Sequence, residues 1–545
     1  MEFARLASLQ DAVLQTINNP VVSLAGPRST TGYKLSCLRH EESACEATEN
    51  SAAPIFVFHP SVMNTTTISR RNMLKGGLLG AAGLCLSNNA ALRALAAAAQ
   101  TQTPPPRAKA KSVIQIWLAG GPPHLDTFDP KPGAGSDYCG PFSTPIETNV
   151  RGIKICELLP LLAKQADKYS IIRGMTHGSD AHETATYMMQ TGRAPGGRLV
   201  FPCYGAVVSL FKGHGGGYQG QLPPYIALTE PLGRFDEAGF LGTRYRPFAT
   251  GGDPAQDRFI VEGIVAEGIS RERQLGRRDL LGKLDTLGDG LPGTPALKAF
   301  ARSRDQAYDM IVGDGAKIFD LSTENEALRD RYGSGATTQT PQQASGKAPA
   351  TQQAPGKAPA TQRQAATGRR TTFGQCCLVA RRLVESGVPF VTIKSPGWDT
   401  HKDHFNEMRR KLRELDQGLA TLLQDLSERG LLESTIVWCG GEFGRTPRVL
   451  TEAPWNGGRG HWGKAFSVIV AGGGFKGGQV VGATDAKGEE VKDRPVYPAD
   501  LIGSVYGLLG IAPDARLPNP EGMDIRATPA PAENVPSNGL LREIT

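Results

Sequence analysis

Pro396-Gly397-Trp398-Asp399-Thr400-His401-Lys402-Asp403-His404 opens the most telling stretch of this chain, which continues through Thr435-Ile436-Val437-Trp438-Cys439-Gly440-Gly441-Glu442-Phe443-Gly444-Arg445 to Arg459-Gly460-His461-Trp462. Between the first two segments, Leu412, Leu415, Leu419, Leu422, Leu423 and Leu426 recur at spacings of three and four, the period of a helix that buries one face. Gly430 ends that helix, and the β-branched Thr435, Ile436 and Val437 begin a strand. A strand, a ligand-rich loop, a helix and a second strand, with polar groups after each strand, form the unit from which open α/β sheets build sites at their carboxyl edge. The stretch therefore predicts a metal-dependent site on such an edge.

Outward from it, residues 113–118, 170–172, 225–228, 389–393 and 466–470 join 435–439 as strand candidates. Several are unbroken apolar runs, as expected of strands covered on both faces. Helical patterns fall at 157–168, 294–320, 375–385 and 500–510. The alternation predicts an α/β fold, a central and mostly parallel sheet sandwiched by helices, as a single domain over residues 112–526. Within it, residues 334–370 are rich in Ala, Gln, Pro and Thr and repeat a segment, 343–352 and again 353–362. Such a composition buries too little apolar area to offset chain ordering, so a disordered low-complexity insertion is expected. Residues 527–545 read as a C-terminal tail.

Residues 1–62 carry no periodic pattern and read as a non-native or disordered extension ahead of Met63. Residues 63–99 combine the paired Arg70-Arg71, the apolar run 76–86 and small residues over 94–99, which resembles a twin-arginine signal peptide. Residues 100–111 are the linker that follows. The expected destination is periplasmic or extracellular. No other stretch reaches the roughly 18 to 20 apolar residues of a membrane span, so none is expected in the mature chain. The net charge of +7 over 545 residues is mild and scattered, which argues against a nucleic-acid partner. Nine cysteines without a C-x-x-C pair do not make a disulfide scaffold, although an oxidising compartment would allow a bridge among Cys139, Cys156 and Cys203.

Seven histidines follow the signal, and all but His214 fall in four short clusters. His124 lies with Asp126 and Asp129 after the first strand, His177 and His182 lie with Asp180 and Glu183 after the second, and the other clusters are those of the opening stretch. Imidazole with carboxylate, repeated at strand ends, suits divalent zinc, manganese or iron. Arg445 beside Glu442 could clamp an anion or pair with that carboxylate.

These residues give the chain a resemblance to the alkaline phosphatase and sulfatase superfamily, within it to the exported branch known as domain of unknown function 1501. It rests on Gly120-Gly121-Pro122-Pro123-His124-Leu125-Asp126-Thr127-Phe128, Glu157-Leu158-Leu159-Pro160, Gly397-Trp398-Asp399-Thr400-His401, Gly441-Glu442-Phe443-Gly444-Arg445-Thr446-Pro447 and Gly460-His461-Trp462. The resemblance implies an alkaline phosphatase-like fold and a divalent metal, zinc, manganese or calcium. Its ligands would come from Asp126, His182, Asp399, His401, His404, Glu442 and His461. The superfamily's usual Asp-His after the later strand is here Glu442-Phe443, which removes one imidazole and favours one metal, or a second held by carboxylates. Sulfatases also carry Cys-x-Pro-Ser-Arg, whose cysteine becomes formylglycine, ten residues before the Gly of a Thr-Gly-Arg turn; before Thr191-Gly192-Arg193 that offset holds His182. His182 is then expected beside Asp126, as a ligand oriented by Glu183 or Asp180 or as a base or nucleophile, with Thr184 or Ser179 as alternative hydroxyls. Catalytic candidates are His182, Thr184 and Arg445. The implied function is a sulfatase-like, metal-dependent hydrolase of sulfate or phosphate esters on a small molecule or polysaccharide; the alternative is an inactive exported binding protein on the same fold.

If the paired arginines direct export, replacing Arg70 and Arg71 by lysine should leave the chain inside the cell, as read by fractionation; undiminished export would remove the twin-arginine reading.

Overall fold

Every residue of Ser112–Leu118 (β1) is buried, because its alternate side chains enter two apolar layers. Ile114, Ile116 and Leu118 join one cluster, and Val113 and Trp117 join the other. A strand covered on both faces sits in the middle of a sheet. The computed structural model, which describes residues 106–264, 269–284, 295–313, 315–333 and 370–545, places β1 between two parallel neighbours. The expected extension (1–62), the signal (63–99), linker residues 100–105 and insertion residues 334–369 lie outside the described residues.

The other strands are Tyr169–Met175 (β2), Tyr225–Leu228 (β3), Phe248–Ala249 (β4), Phe390–Ser395 (β5), Thr435–Gly440 (β6), Phe466–Ala471 (β7) and Val480–Val481 (β8). Their order across the sheet is β8-β2-β7-β6-β1-β5-β3-β4. All pairings are parallel except those of β7 with β2 and β6. The reversal of β7 has a simple cause: residues 441–465 between β6 and β7 contain only the short ribbon pairing Gly444–Arg445 with His461–Trp462. A parallel return needs a crossover on the far side of the sheet, usually a helix. β4 and β8 are two-residue edge strands, too short to show a period in sequence.

Helices cover both faces. Thr372–Glu385 (α3) and His404–Glu428 (α4) supply the cluster that holds Ile114, while His182–Thr191 (α1), Tyr204–Lys212 (α2) and Pro498–Leu508 (α5) supply the cluster that holds Trp117. All six expected leucines of α4 are buried, worth about 1.5–3 kcal/mol each against exposure. The Thr371 hydroxyl caps α3 by accepting from the Gly374 N–H. Two expected helices are shorter. Residues 157–168 fold only as Pro160–Ala163 and a tight turn at Ala166–Lys168, since Pro160 sets the start and buried Asp416 takes the Leu161 and Leu162 N–H groups. The run 294–320 is divided into Pro295–Val312 and Gly315–Ile318. The six described post-signal cysteines are buried and unbridged, and no helix among the described residues is long and apolar enough to cross a membrane.

Residues 527–545, expected as a tail, are instead packed onto the domain. Leu541 and Ile544 are buried, Glu533 pairs with Arg193 at 2.7 Å, and the buried Asp500 carboxylate receives the N–H groups of Asn538 and Gly539. Two apolar anchors and one carboxylate order a segment whose composition reads as coil. Asp500→Ala should therefore cost about 3 kcal/mol, since bonds to a charged group are worth roughly 1.5–3 kcal/mol each. It should also expose residues 527–545 to limited proteolysis, and an unchanged denaturation midpoint with an uncut tail would refute this account.

Candidate functional site

The carboxyl ends of the parallel strands bring the quoted motifs together. Leu118 of β1 is level with Ser395 of β5, and Trp117 is level with Gly440 of β6, so the loops after these three strands leave the sheet at one height. His182 arrives from the first turn of α1, after β2. His461 arrives on the ribbon that leads into β7.

In the centre lies the Asp399 carboxylate. His401 Nε2 is 2.9 Å and His461 Nε2 3.2 Å from its Oδ1, and His182 Nε2 is 3.4 Å from its Oδ2. The His401 and His461 Nε2 atoms are 2.9 Å apart. His182, Asp399 and His461 can each aim one ligand atom at a common point, all within 4.8 Å of one another. The cluster is open to solvent, with the Asp399 side chain 44% exposed. Phe443 forms its floor, its ring 4.8 Å from that of His461 and 4.9 Å from that of His182.

The second nitrogen of two rings is fixed from behind. His461 Nδ1 donates to the Asp180 carbonyl at 2.8 Å, and His182 Nδ1 donates to Glu442 Oε1 at 2.7 Å. In the neutral rings both Nε2 atoms then carry lone pairs, turned toward a carboxylate. That set repels itself unless a proton or a cation lies among its members, and a divalent metal fits the donor set: two imidazole nitrogens and a carboxylate oxygen, each imidazole oriented by a carbonyl or carboxylate. Sequence reasoning had offered Glu183 or Asp180 to orient His182; the fold gives that task to Glu442, and Asp180 serves His461.

The charges follow this geometry. Burial works to raise the Asp399 pKa, but the hydrogen bond and charge of Arg445 outweigh it and hold the carboxyl at about 2. The hydrogen bond to Glu442 raises the His182 pKa, and burial lowers that of His401. Arg445 is only 1% exposed. Its Nε donates to the Gly121 carbonyl at 3.1 Å, its Nη1 to that of Arg459 at 3.2 Å, and its Nη2 to the Gly120 carbonyl and to Asp399. A guanidinium so buried and engaged is a brace between loops, not the anion clamp considered from sequence.

Other expected residues are placed elsewhere. Asp126 and His404 are buried and pair with each other at 2.7 Å. Arg459 grips both oxygens of Asp126 at 2.8 and 2.9 Å, and the Thr400 hydroxyl meets His404 Nδ1 at 2.7 Å. Three hydrogen bonds and the Arg459 charge already fall on the Asp126 carboxylate, and both His404 nitrogens are engaged, so in this arrangement the pair is an ionic support below the cluster. His182 pairs with Asp399 and Glu442, and Asp126 is not among its hydrogen-bond or ion-pair partners. The Glu442 side chain is 4% exposed and its Oε1 also accepts the Gly120 N–H at 2.9 Å, which puts that oxygen behind His182, while its buried Oε2 has no hydrogen-bond partner among the described residues. Thr184 is two positions on in α1, about 200° round the helix from His182. His177 donates from Nε2 to the Glu442 carbonyl at 2.6 Å, His124 meets the Gly488 carbonyl at 2.8 Å, and Arg193 of the Thr-Gly-Arg turn pairs with Glu533.

The model of the family described as "Protein of unknown function (DUF1501)" matches residues 110–537, and the chain belongs to that family. No curated protein matches the sequence. Among solved structures, the chain is similar to Ps i-CgsB in complex with k-i-k-neocarrahexaose, at 9% identity, covering 80% of this chain and 75% of that one with a TM-score of 0.33. It is also similar to the lipoteichoic acid synthase LtaP from Listeria monocytogenes (10% identity, 78% and 76% coverage, TM-score 0.30) and to the PsFucS1 sulfatase from Pseudoalteromonas sp. (14%, 73% and 69%, TM-score 0.29). Likeness at this level decides nothing about the chemistry of this chain.

If Asp126 is a support, Asp126→Ala strands the buried Arg459 cation and should cost about 3–5 kcal/mol in chemical denaturation. A loss under 1 kcal/mol would return Asp126 to the list of ligands.

Proposed function

We propose that this DUF1501 protein is an exported, sulfatase-like, metal-dependent hydrolase of sulfate or phosphate esters that works without formylglycine. The observation that carries the metal is the pair of Nε2 lone pairs, on His182 and His461, both turned to Asp399 with their Nδ1 protons already committed. His182, Asp399 and His461 would hold the ion, and His401, 2.9 Å from both Asp399 and His461, is the further imidazole within reach. A divalent ion there supplies Lewis acidity, which polarises an ester oxygen and acidifies water.

The chain's own groups supply orientation and proton handling. Glu442 keeps the Nδ1 proton on His182 and so keeps Nε2 available toward the open side. Asp180 does the same for His461. His401, part exposed and lowered in pKa by burial, is largely neutral near pH 7 and can take or give a proton at the rim. The described cysteines are buried, Thr184 is turned away from His182, and the Ser179 hydroxyl is turned back to the Ala181 N–H at 3.5 Å; the reading is hydrolysis by water. That same observation favours the second reading, in which the cluster binds a metal or ligand and turns nothing over. Export through the signal at 63–99 belongs to the proposal.

The test is elemental analysis of the purified chain together with turnover of an aryl phosphate and an aryl sulfate. About one metal per chain is expected, lost in His461→Ala along with turnover. Glu442→Gln should keep that stoichiometry but bind 10–100-fold more weakly, the usual cost of losing a partner behind a ligand. Stoichiometric metal without turnover of either ester supports the binding protein, and no metal in the wild type overturns both the metal and the hydrolase.

A further inference from the structure

A second feature of the same sheet edge stands apart from the histidine cluster. Beyond β5, over the ends of β3 and β4, opens a cleft of about 940 Å³, near the upper end of the range for small-molecule sites. Its wall includes Lys394 and Ser395 at the end of β5, Phe373 of α3, and Arg410, Lys411 and Glu414 of α4. Most of these charges are paired or wet. Arg410 bonds Glu407 and Glu414, and Lys394 reaches Glu230 at 3.4 Å with a quarter of its side chain exposed.

Lys411 differs. It is 7% exposed although it lines the cleft, and among the described residues its ammonium donates to one protein group, the Pro396 carbonyl at 2.5 Å. Among the described residues no carboxylate lies within 4.0 Å of it, the limit within which the ion pairs of Arg410 and Lys394 fall. An ammonium carries three donors; one is used here. Removing a cation from water without an opposite charge costs several kcal/mol unless a partner compensates. Burial accordingly lowers the Lys411 pKa, with Glu414 opposing that shift and Arg410 adding to it. The nearest backbone is the Pro396-Gly397 turn: a Cβ on Gly397 would come within 3.3 Å of Nζ. That turn leads to Asp399 two residues later.

We propose that Lys411 is the anchor of a second ligand site, in which the cleft beyond β5 takes a small molecule by an oxyanion, a sulfate or phosphate group, placed on the Lys411 ammonium with Lys394 at the mouth. The body of that ligand is uncharged and polar, because four carboxylates, those of Glu230, Asp253, Glu262 and Glu414, share the wall with four cations, Arg370, Lys394, Arg410 and Lys411, and leave no net charge for a polyanion. This assignment does not depend on the metal.

Inorganic sulfate and phosphate serve as probes, with acetate as the carboxylate arm and chloride at matched ionic strength as the control, on chelator-treated full chain by thermal shift. Sulfate or phosphate should stabilise the wild type saturably where chloride does not. Lys411→Met should raise the half-saturating concentration at least tenfold, and Lys411→Arg should retain part of the response. Lys394→Met, at a more exposed position, should weaken it several-fold and covers the case in which Lys411→Met fails to fold. His461→Ala should leave the response intact, which separates this site from the histidine cluster. A wild type indifferent to both probes, a Lys411→Met response equal to wild type, or a response lost with His461→Ala would each overturn the assignment; an acetate response equal to that of sulfate would overturn the choice of a tetrahedral oxyanion.

Discussion

The Arg445 guanidinium is the interaction on which the geometry of the site depends. It is buried, and its nitrogens reach the carbonyls of Gly120 and Gly121 after β1, the carbonyl of Arg459 before the ribbon to β7, and the Asp399 carboxylate after β5. Three loops from separate parts of the sequence are thereby held at fixed distances by one planar cation. Gly120 is needed for that approach. At φ +116° it offers its carbonyl to Arg445 and its N–H to Glu442, and a Cβ there would lie 2.3 Å from the Asp399 nitrogen. The brace also keeps Asp399 ionised, so the group at the centre of the cluster is a carboxylate at any ordinary pH.

Burial divides similar residue types into two assemblies. Asp126, His404 and Arg459 are closed off and paired with one another; Asp399, His182, His401 and His461 are part exposed, with imidazole nitrogens turned toward the Asp399 oxygens. A buried ion pair adds little net stability but is costly to break, which suits a support that fixes the position of loops already anchored by buried Phe128 and Trp398. The open cluster has the opposite character, a concentration of like-signed lone pairs that gains from a cation. Two carbonyl or carboxylate partners, Asp180 and Glu442, create that condition by deciding which ring nitrogen holds the proton.

The sheet explains why chemistry and binding space share one edge. Parallel strands β1, β5 and β6 end level, so their loops gather; β7 runs the other way and contributes His461 from its beginning. Farther along, β3 and β4 end beneath the cleft that Lys411 lines, and the Pro396-Gly397 turn links that lysine to Asp399 through the backbone.

The sequence by itself determined the layers and the neighbourhood. Unbroken apolar strands such as 113–118 and the leucine stripe of α4 are written in period and need no partner to be recognised, and histidines after strand ends mark the edge at which a site forms. It also singled out His182, Asp399, His401 and His461, because each lies at the end of a strand or at the start of the helix or ribbon beside one. Only the tertiary structure decided which polar residues face each other. Asp126 and His404 have the composition of ligands, but Arg459, far off in sequence, turns them into a buried support. Arg445 had the chemistry of an anion clamp until three carbonyls engaged it. Residues 527–545 lack any period, yet Leu541, Ile544 and Asp500 fix them. In each case the deciding contact spans tens to hundreds of residues, and local pattern carries no record of the burial that sets whether a lone pair or a charge is spent or free.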